Sequence, residues 1–289
     1  MKPSAIDYQR LGFEGWLPPG TFDSRLGTWL TGADVSNTFP DSGVEVFDSV
    51  DETSFWFDHR NQVIEQFLRR YSQGGSILEV GSGSGVVAAH LASRGWVVAS
   101  VEPIEGGAIR AAQRGVTVSI CGDLSSLCLP SGCVPNIGLF DVIEHLETPG
   151  SLLEMCREAL SKDGCLLVTV PAHQWLWNDF DEWNGHFRRY SINTARKELT
   201  TAGFDVVAAS YFFLPLVVPA GLSRVVASPF RRPKTRSEIE DSVSAGLAPK
   251  GLLVDRMLRI VHRFELAALR KTGLPTGTSI VLVAKPRRA

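Results

Sequence analysis

An excess of charge of either sign is missing from this chain. Its 29 lysines and arginines stand against 31 aspartates and glutamates, a net charge of −2 over 289 residues. Such a balance gives no global pull toward nucleic acid, and none is expected as a partner. The apolar stretch Leu214 to Ala227 is too short, and too broken by Pro215, Pro219 and Arg224, to supply the about 20 residues a bilayer-spanning helix needs. Met1 to Arg10 lacks the cationic-then-apolar pattern of a secretory leader, which predicts a cytoplasmic protein. Cysteine is scarce and odd in number. The five (Cys121, Cys128, Cys133, Cys156 and Cys165) show no metal-finger spacing and read as reduced, mostly buried thiols. No internal repeat is visible, so one large domain with embellishments is expected. An apolar content of 44% suffices for its core.

The stretch Ile77-Leu-Glu-Val-Gly81-Ser-Gly83-Ser-Gly85-Val-Val-Ala-Ala-His-Leu91 is a short strand, three alternating glycines and an apolar-rich helix. Glycines let backbone approach a ligand or take positive φ, and the helix that follows offers free N–H groups and the positive end of its dipole. This is a nucleotide cradle. A dinucleotide fingerprint would be G-x-G-x-x-G, but Val86 stands where its third glycine would fall. Glu79, inside the strand end, would repel a pyrophosphate and suits a ligand with a cationic amino-acid end. The loop resembles motif I of the class I S-adenosylmethionine (SAM) methyltransferases.

Residues 1 to about 50 are rich in Gly, Pro, Asp, Thr and Ser with scattered aromatics, and read as an arm without regular elements that packs on the core or covers the site. Asp51 to Tyr71 reads as an amphipathic helix delivering an aromatic cluster and Arg60. Arg60 either faces a cofactor carboxylate or is simply solvated. From Ser76, strands (Ile77–Val80, Trp96–Val101, Val116–Ile120, Ile137–Phe140, Cys165–Val170) alternate with helices (Val86–Arg94, Glu105–Arg114, Ser151–Leu160), the pattern of a parallel doubly wound sheet. A helix (Thr194–Ala202) and a strand (Phe204–Phe213) follow. The last strand, Thr278–Ala284, comes some 65 residues later with no crossover helix close before it. Between them, 214–276 either covers the active site or lies on a membrane surface, with Arg231, Arg232, Lys234 and Arg236 toward anionic lipid. Leu252–Leu269 reads as an amphipathic helix for packing, dimerisation or surface attachment.

Glu102, ending the second strand, can accept from both hydroxyls of a ribose. Asp123 and Leu124, after the third strand, can bind and line an adenine; alternatively Asp123 caps a turn. The fourth strand leads into Asp141-Val-Ile-Glu144-His145-Leu-Glu-Thr-Pro149. With the glycine loop, Glu102, Asp123, Lys162-Asp-Gly164 and Cys165-Leu-Leu-Val-Thr-Val-Pro171, this is similar to the run of class I SAM methyltransferase motifs over residues 55 to 213. Asn136-Ile137-Gly138 departs from the usual start of the fourth motif. The resemblance implies a Rossmann-like α/β fold with a seven-stranded sheet whose last strand is antiparallel. It divides the chain into an arm (1–54), a SAM-binding core (55–213), a helical insertion (214–276) and the final strand (277–289). It places SAM against Arg60, Glu79, Gly81, Gly83, Gly85, Glu102, Pro103, Asp123, Leu124 and Asp141, with S-adenosylhomocysteine (SAH) as product.

Asp141, Glu144 and His145, spaced i, i+3, i+4, would share a helical face. The segment resembles ubiquinone-type O-methyltransferases, whose Glu/Glu/His set can hold a divalent ion; Asp replaces the first Glu here. No metal is expected, with this trio as the fallback. After the fifth strand, Pro171-Ala-His173-Gln-Trp175 and Asp181-Glu-Trp-Asn-Gly185-His186-Phe-Arg188-Arg189-Tyr190-Ser191 resemble a bacterial subgroup that modifies glycans, lipid-linked molecules or secondary metabolites. His186 is the candidate general base, with His145 and Glu144 as further catalytic candidates. His173, Trp175, Asp181, Arg188, Arg189 and Tyr190 are the candidate acceptor contacts. The alternative is an Asp–His–Arg network bracing the loop, with Ser191 capping the next helix. Methyl transfer to oxygen of a small-molecule, glycan or lipid-linked acceptor is the favoured function. A noncatalytic SAM-binding protein and an NAD(P)-dependent oxidoreductase are the alternatives. Monomer and homodimer both remain open, as does peripheral membrane contact through 214–236.

Overall fold

The computed structural model describes residues 11–13, 16, 18–32, 54–72, 74–227, 235–247 and 251–287. From Ser76 onward the sequence cycles through an apolar run, a glycine or proline break and a helix-forming stretch. Runs that are apolar on both sides of the pleat need cover on both faces, which is the condition for a parallel strand. In chain order the elements are β1 (Thr21–Asp23), β2 (Thr28–Leu30), α1 (Phe55–Tyr71), β3 (Ser76–Val80), α2 (Val86–Ser93), β4 (Val97–Glu102), α3 (Glu105–Gln113), β5 (Val118–Cys121), β6 (Val134–Phe140), α4 (Gly150–Ala159) and β7 (Leu160–Pro171). Then come α5 (Asp179–Trp183), α6 (Ile192–Thr201), β8 (Phe204–Phe212), α7 (Val217–Ala227), α8 (Arg236–Leu247), α9 (Leu252–Leu269) and β9 (Ser279–Pro286).

The strands form one sheet in the order β1-β2-β5-β4-β3-β6-β7-β9-β8. Strands β2 to β7 pair in parallel, and β9 lies antiparallel between β7 and β8, as the resemblance implies for the last strand. Alternation along each strand sorts the core into two layers. Leu78, Val80, Leu166 and Val168 pack toward α4 and α6 through Leu153, Cys156 and Leu199. Ile77, Cys165 and Leu167 pack the other way, against Ile64 and Leu68 of α1 and Ala88 and Leu91 of α2. The departure at residues 136–138 has a packing reason. Buried Asn136 donates to Ser76 O (2.8 Å) and accepts from Cys165 Sγ (3.1 Å), and a Cβ on Gly138 would sit 2.5 Å from the Phe140 ring.

Two expectations need correction. The sheet has nine strands rather than seven, and the arm contains regular structure: β1 and β2 form an antiparallel hairpin added to the β5 edge. An open edge offers unpaired backbone groups that even a Gly- and Thr-rich segment can use. Thr28 Oγ1 bonds Ser119 O (3.0 Å), Thr31 Oγ1 bonds Cys121 O (3.0 Å), and Trp16 Nε1 donates to Leu127 O (2.8 Å). The expectation that the arm covers the site falls mainly on 33–53, outside the described residues.

One buried carboxylate helps to pin the insertion to the core, beside contacts such as the Arg259–Asp58 ion pair. Glu265 of α9 accepts from His59 Nε2 (2.7 Å) and from the amides of Phe213 (2.6 Å) and Leu214 (2.8 Å), where the chain leaves β8 with Phe213 at φ +60°. Burial opposes the charge of Glu265, yet His59 and the two amides hold it below the ordinary carboxylate range. Glu265→Ala leaves those amides without their acceptor and is expected to cost about 2–4 kcal/mol, read as a lowered urea midpoint with unchanged slope. Among the described residues, no helix is long and apolar enough to cross a membrane.

Candidate active site

The order in which strands are added reverses at β3, which has β4 on one side and β6 on the other, the switch point where open α/β sheets leave a crevice beyond their strand ends. A cavity of about 1270 Å³ opens there. Single-ligand pockets run roughly 300–1,000 Å³, so this one has room for a cofactor and an acceptor together.

At the β3–β4 end, Gly85 starts α2 with φ +78°, and a Cβ on it would stand 2.6 Å from Ala111. Only glycine fits both the left-handed backbone and that approach. Glu102, 5% exposed, accepts from Gly83 N (2.7 Å) and Ile104 N (3.0 Å), so the carboxylate itself sets the glycine loop. Burial raises Glu102 to about 7 against the pull of those two amides. Glu79 is pushed up to about 8, mainly by burial and further by Glu102, with Arg60 opposing; its Oε2 finds no partner among the described residues. A buried, partnerless carboxylate oxygen lining this cavity fits the cationic amino-acid end of SAM, and the Glu102 carboxylate fits a ribose. Gly81, Gly83, Glu102, Pro103, Asp123, Leu124 and Asp141 line the same cavity. Gly85 backs the loop from behind.

Two of these residues behave differently from the reading of Arg60 as a carboxylate clamp and Asp123 as an adenine contact. Arg60 is 8% exposed, and its Nε donates to Asp141 Oδ2 (2.8 Å) while the guanidinium stands 5.4 Å from the Trp56 ring centre. It lines the cavity already paired. Asp123 accepts from Ser126 N (2.9 Å) and from the Ser125 hydroxyl, the turn-capping alternative, while still lining the cavity.

The second end gathers Glu144, His145 and His186. The expected helical face of Asp141, Glu144 and His145 does not form. Asp141 sits at φ +59° and turns to Arg60 and Thr169, and 143–145 is one 3₁₀ turn. Instead, ligand atoms of Glu144, His145 and His186 lie within 4.8 Å of one another. Glu144 is fully buried, and neither carboxylate oxygen finds a partner on another described residue. Burial, then the nearby Asp141 charge, raises it well above the carboxylate range. Burial, then His186, lowers His145 to about 3. The His145 and His186 rings meet edge to face at 4.6 Å.

His186 is held from behind. Its Nδ1 lies 2.9 Å from Asp181 Oδ1, and Nε2 lies 2.8 Å from Asn184 Nδ2. Asp181 also accepts from Arg189 Nε (2.7 Å) and Asn178 N (2.9 Å). The bracing network is therefore real, and Ser191 caps α6 by accepting from Thr194 N. Of the six proposed acceptor contacts, only Arg189 lines the cavity. Asp181 is the buried hub. Tyr190 is buried with its hydroxyl toward Ile143 O (3.4 Å), Arg188 donates to the carbonyls of Leu146 and Glu147, His173 stacks on Tyr211, and Trp175 lies 57% exposed near Gly221 of α7. A polar loop motif does not say which side chains brace the loop and which face the cavity. The insertion was expected as a cover for the site, but the side chains of the outer wall were not singled out: Leu216, Ala220, Ile239 and Val243 from the insertion, and Leu176 and Phe180 from the loop. The four-residue recurrence of Ile239 and Val243 was the available signal.

A family model described as a methyltransferase domain matches residues 56–209, more than half of the chain. The chain belongs to that family: it is a class I SAM-dependent methyltransferase. Similar proteins include a probable S-adenosylmethionine-dependent methyltransferase of Mycolicibacterium smegmatis, 29% identical over 60% of this chain and 68% of that protein. A ubiquinone biosynthesis O-methyltransferase of Caulobacter is 26% identical over 37% of this chain and 48% of its own. The chain thus spans about two thirds or less of the relatives it matches. Among solved structures, phosphoethanolamine N-methyltransferase 2 of Haemonchus contortus, in complex with SAM, superposes with TM-score 0.55 at 16% identity, over 88% of this chain and 61% of that one. The [4+2]-cyclase SpnF superposes with TM-score 0.51 at 16% identity, over 83% of this chain and 86% of that one. The fold alone therefore does not fix the acceptor chemistry.

Proposed function

We propose that the protein transfers a methyl group from SAM to a hydroxyl of a small-molecule, sugar or lipid-linked acceptor that enters beside the insertion. The observation that supports this reading is a single cavity joining the Glu79–Glu102 end to the His186 end. Bound SAM supplies an electrophilic methyl on a sulfonium. Glu79 holds the cationic amino group and Glu102 the ribose. Trp56 and the glycine loop exclude water, and the insertion walls suit an acceptor with an apolar portion. With Nδ1–H donated to Asp181, neutral His186 keeps the lone pair on Nε2, which takes the proton from the acceptor hydroxyl. Oxygen then forms its bond to carbon as the carbon–sulfur bond breaks, the electron pair staying on sulfur. Holding the two reactants in line is the larger contribution.

Calorimetry tests the cofactor half. SAM and SAH should bind the wild type, and Glu102→Ala should weaken both by about tenfold or more, the loss of roughly one charge-assisted contact. Equal affinity in the variant removes the assignment of Glu102. For the acceptor half, labelled methyl groups should appear on hydroxyl acceptors and not on amines. His186→Ala should lower that turnover by about 10²–10⁴ with SAH affinity unchanged.

A further inference from the structure

We infer that Glu144, His145 and His186 form a site for one first-row divalent transition ion, at the acceptor end of the cavity. The inference rests on the methyltransferase reading for its location but not for its chemistry. The ligand set differs from the one the local sequence spacing predicts, because Asp141 is held away by Arg60 while His186 arrives from the loop after β7.

Three observations meet here. One carboxylate and two imidazoles lie within 4.8 Å of one another, a ligand set that favours Zn²⁺, Co²⁺ or Fe²⁺ over the oxygen-seeking Mg²⁺ or Ca²⁺. The Glu144 carboxylate is 0% exposed and lines the cavity, yet neither oxygen meets a partner on another described residue. Leaving a buried polar group unmatched is costly, and a cation is one way to satisfy it. Finally, Asp181 stands 2.9 Å behind His186 Nδ1, the carboxylate–histidine arrangement that fixes a metal-binding tautomer and leaves Nε2 forward. Asn184 Nδ2 now lies 2.8 Å from that Nε2, a contact the ion would replace. Three protein ligands leave coordination positions open toward the cavity, where an ion supplies Lewis acidity to an acceptor oxygen; in the ion-loaded protein His186 Nε2 is a ligand rather than the base, and coordination lets the acceptor hydroxyl release its proton to solvent instead.

The test uses chelator-treated full-length protein titrated with Co²⁺, followed by visible absorption, and with Zn²⁺, followed by calorimetry. SAH affinity is measured on every sample. One equivalent should bind and give ligand-field bands. Glu144→Gln and His186→Gln should each weaken binding by about tenfold or more, and Asp181→Asn, which touches no ion, by about 10–100-fold. His90→Gln, remote from the cluster, should change nothing. If Glu144→Gln loses the fold by circular dichroism, His186→Gln and the wild-type spectrum still decide. Wild type that binds SAH but takes up no stoichiometric Co²⁺ or Zn²⁺ overturns the site, as does unchanged binding in Glu144→Gln. Metal uptake without SAH binding would instead overturn the cofactor reading and leave the metal site standing.

Discussion

SAM affinity is expected to rise by about tenfold to a hundredfold between pH 6 and pH 8, with protons released on binding. The free protein carries Glu79 and Glu102 with values near 8 and 7, raised chiefly by burial. At pH 6 both are mostly protonated. A ligand that presents an ammonium to Glu79 and hydroxyls to Glu102 binds the anionic carboxylates, so it must expel those protons. Each proton expelled contributes at most about tenfold in affinity per pH unit. The gain ends once pH passes the free-state values, so affinity should level off above about pH 8. The sign for folding is opposite. A carboxyl whose folded value is raised stabilises the fold most below its unfolded value and loses that contribution as pH climbs through the folded one. The ligand-free protein should therefore lose stability from pH 5 to pH 8 at this site, and bound SAM should restore it. Calorimetry at three pH values, in phosphate and in Tris, reads both affinity and proton count. Glu79→Gln should flatten most of the slope. A pH-independent affinity with no buffer dependence would show that the carboxylates are already ionised or do not meet the ligand.

How much of this was legible follows from which interactions are local in sequence. The β3–α2 glycine loop, Glu102 at the end of β4 and the closing strand were readable because strand period and positive-φ glycines are local properties, while the antiparallel direction of that last strand came with the family resemblance. The alternation gave a parallel doubly wound sheet, whereas the place of β3 beside both β4 and β6 is seen only in the structure. The N-terminal hairpin was not readable, since its stability comes from the β5 edge some ninety residues away, through bonds such as Thr28 Oγ1 to Ser119 O. Nor was the pairing of Arg60 with Asp141, 81 positions apart, which ties the two residues to each other at the cavity wall. The residue spacing at 141–145 presumed a helix, whereas the chain makes a left-handed residue and one 3₁₀ turn there. That local departure frees Glu144 and His145 to meet a histidine from another loop. In the Gly-His-x-Arg-Arg-Tyr segment, residue types were informative but directions were not: Tyr190 and Asp181 point into the protein, and only His186, Phe187 and Arg189 of that stretch line the cavity.

Asp181→Ala is expected to be the most damaging single substitution in the acceptor half, costing about 3–5 kcal/mol of stability. Asp181 is 0% exposed, so solvent does not screen its contacts. Burial disfavours its charge, yet His186 and Arg189 together hold it below the ordinary aspartate range. It also accepts the amide of Asn178, closing the box that starts α5. Alanine removes all three contacts at once. It strands the Arg189 guanidinium, whose side chain is only 10% exposed, leaves the Asn178 amide unmatched, and frees the His186 ring to rotate. An unpaired buried cation is the dominant cost. Asp181→Asn keeps the shape and one acceptor oxygen, so it should cost less than the alanine. It should still lower turnover, because the amide cannot hold the His186 proton on Nδ1 as a carboxylate does. Denaturant midpoints for the two variants, set beside SAH affinity and turnover, separate the effects. The argument requires stability to fall in the order wild type, Asn, Ala, with SAH affinity unchanged in the Asn variant and turnover reduced in both. Wild-type turnover in Asp181→Asn would show that His186 keeps its working tautomer unaided, and would reduce Asp181 to a purely structural anchor.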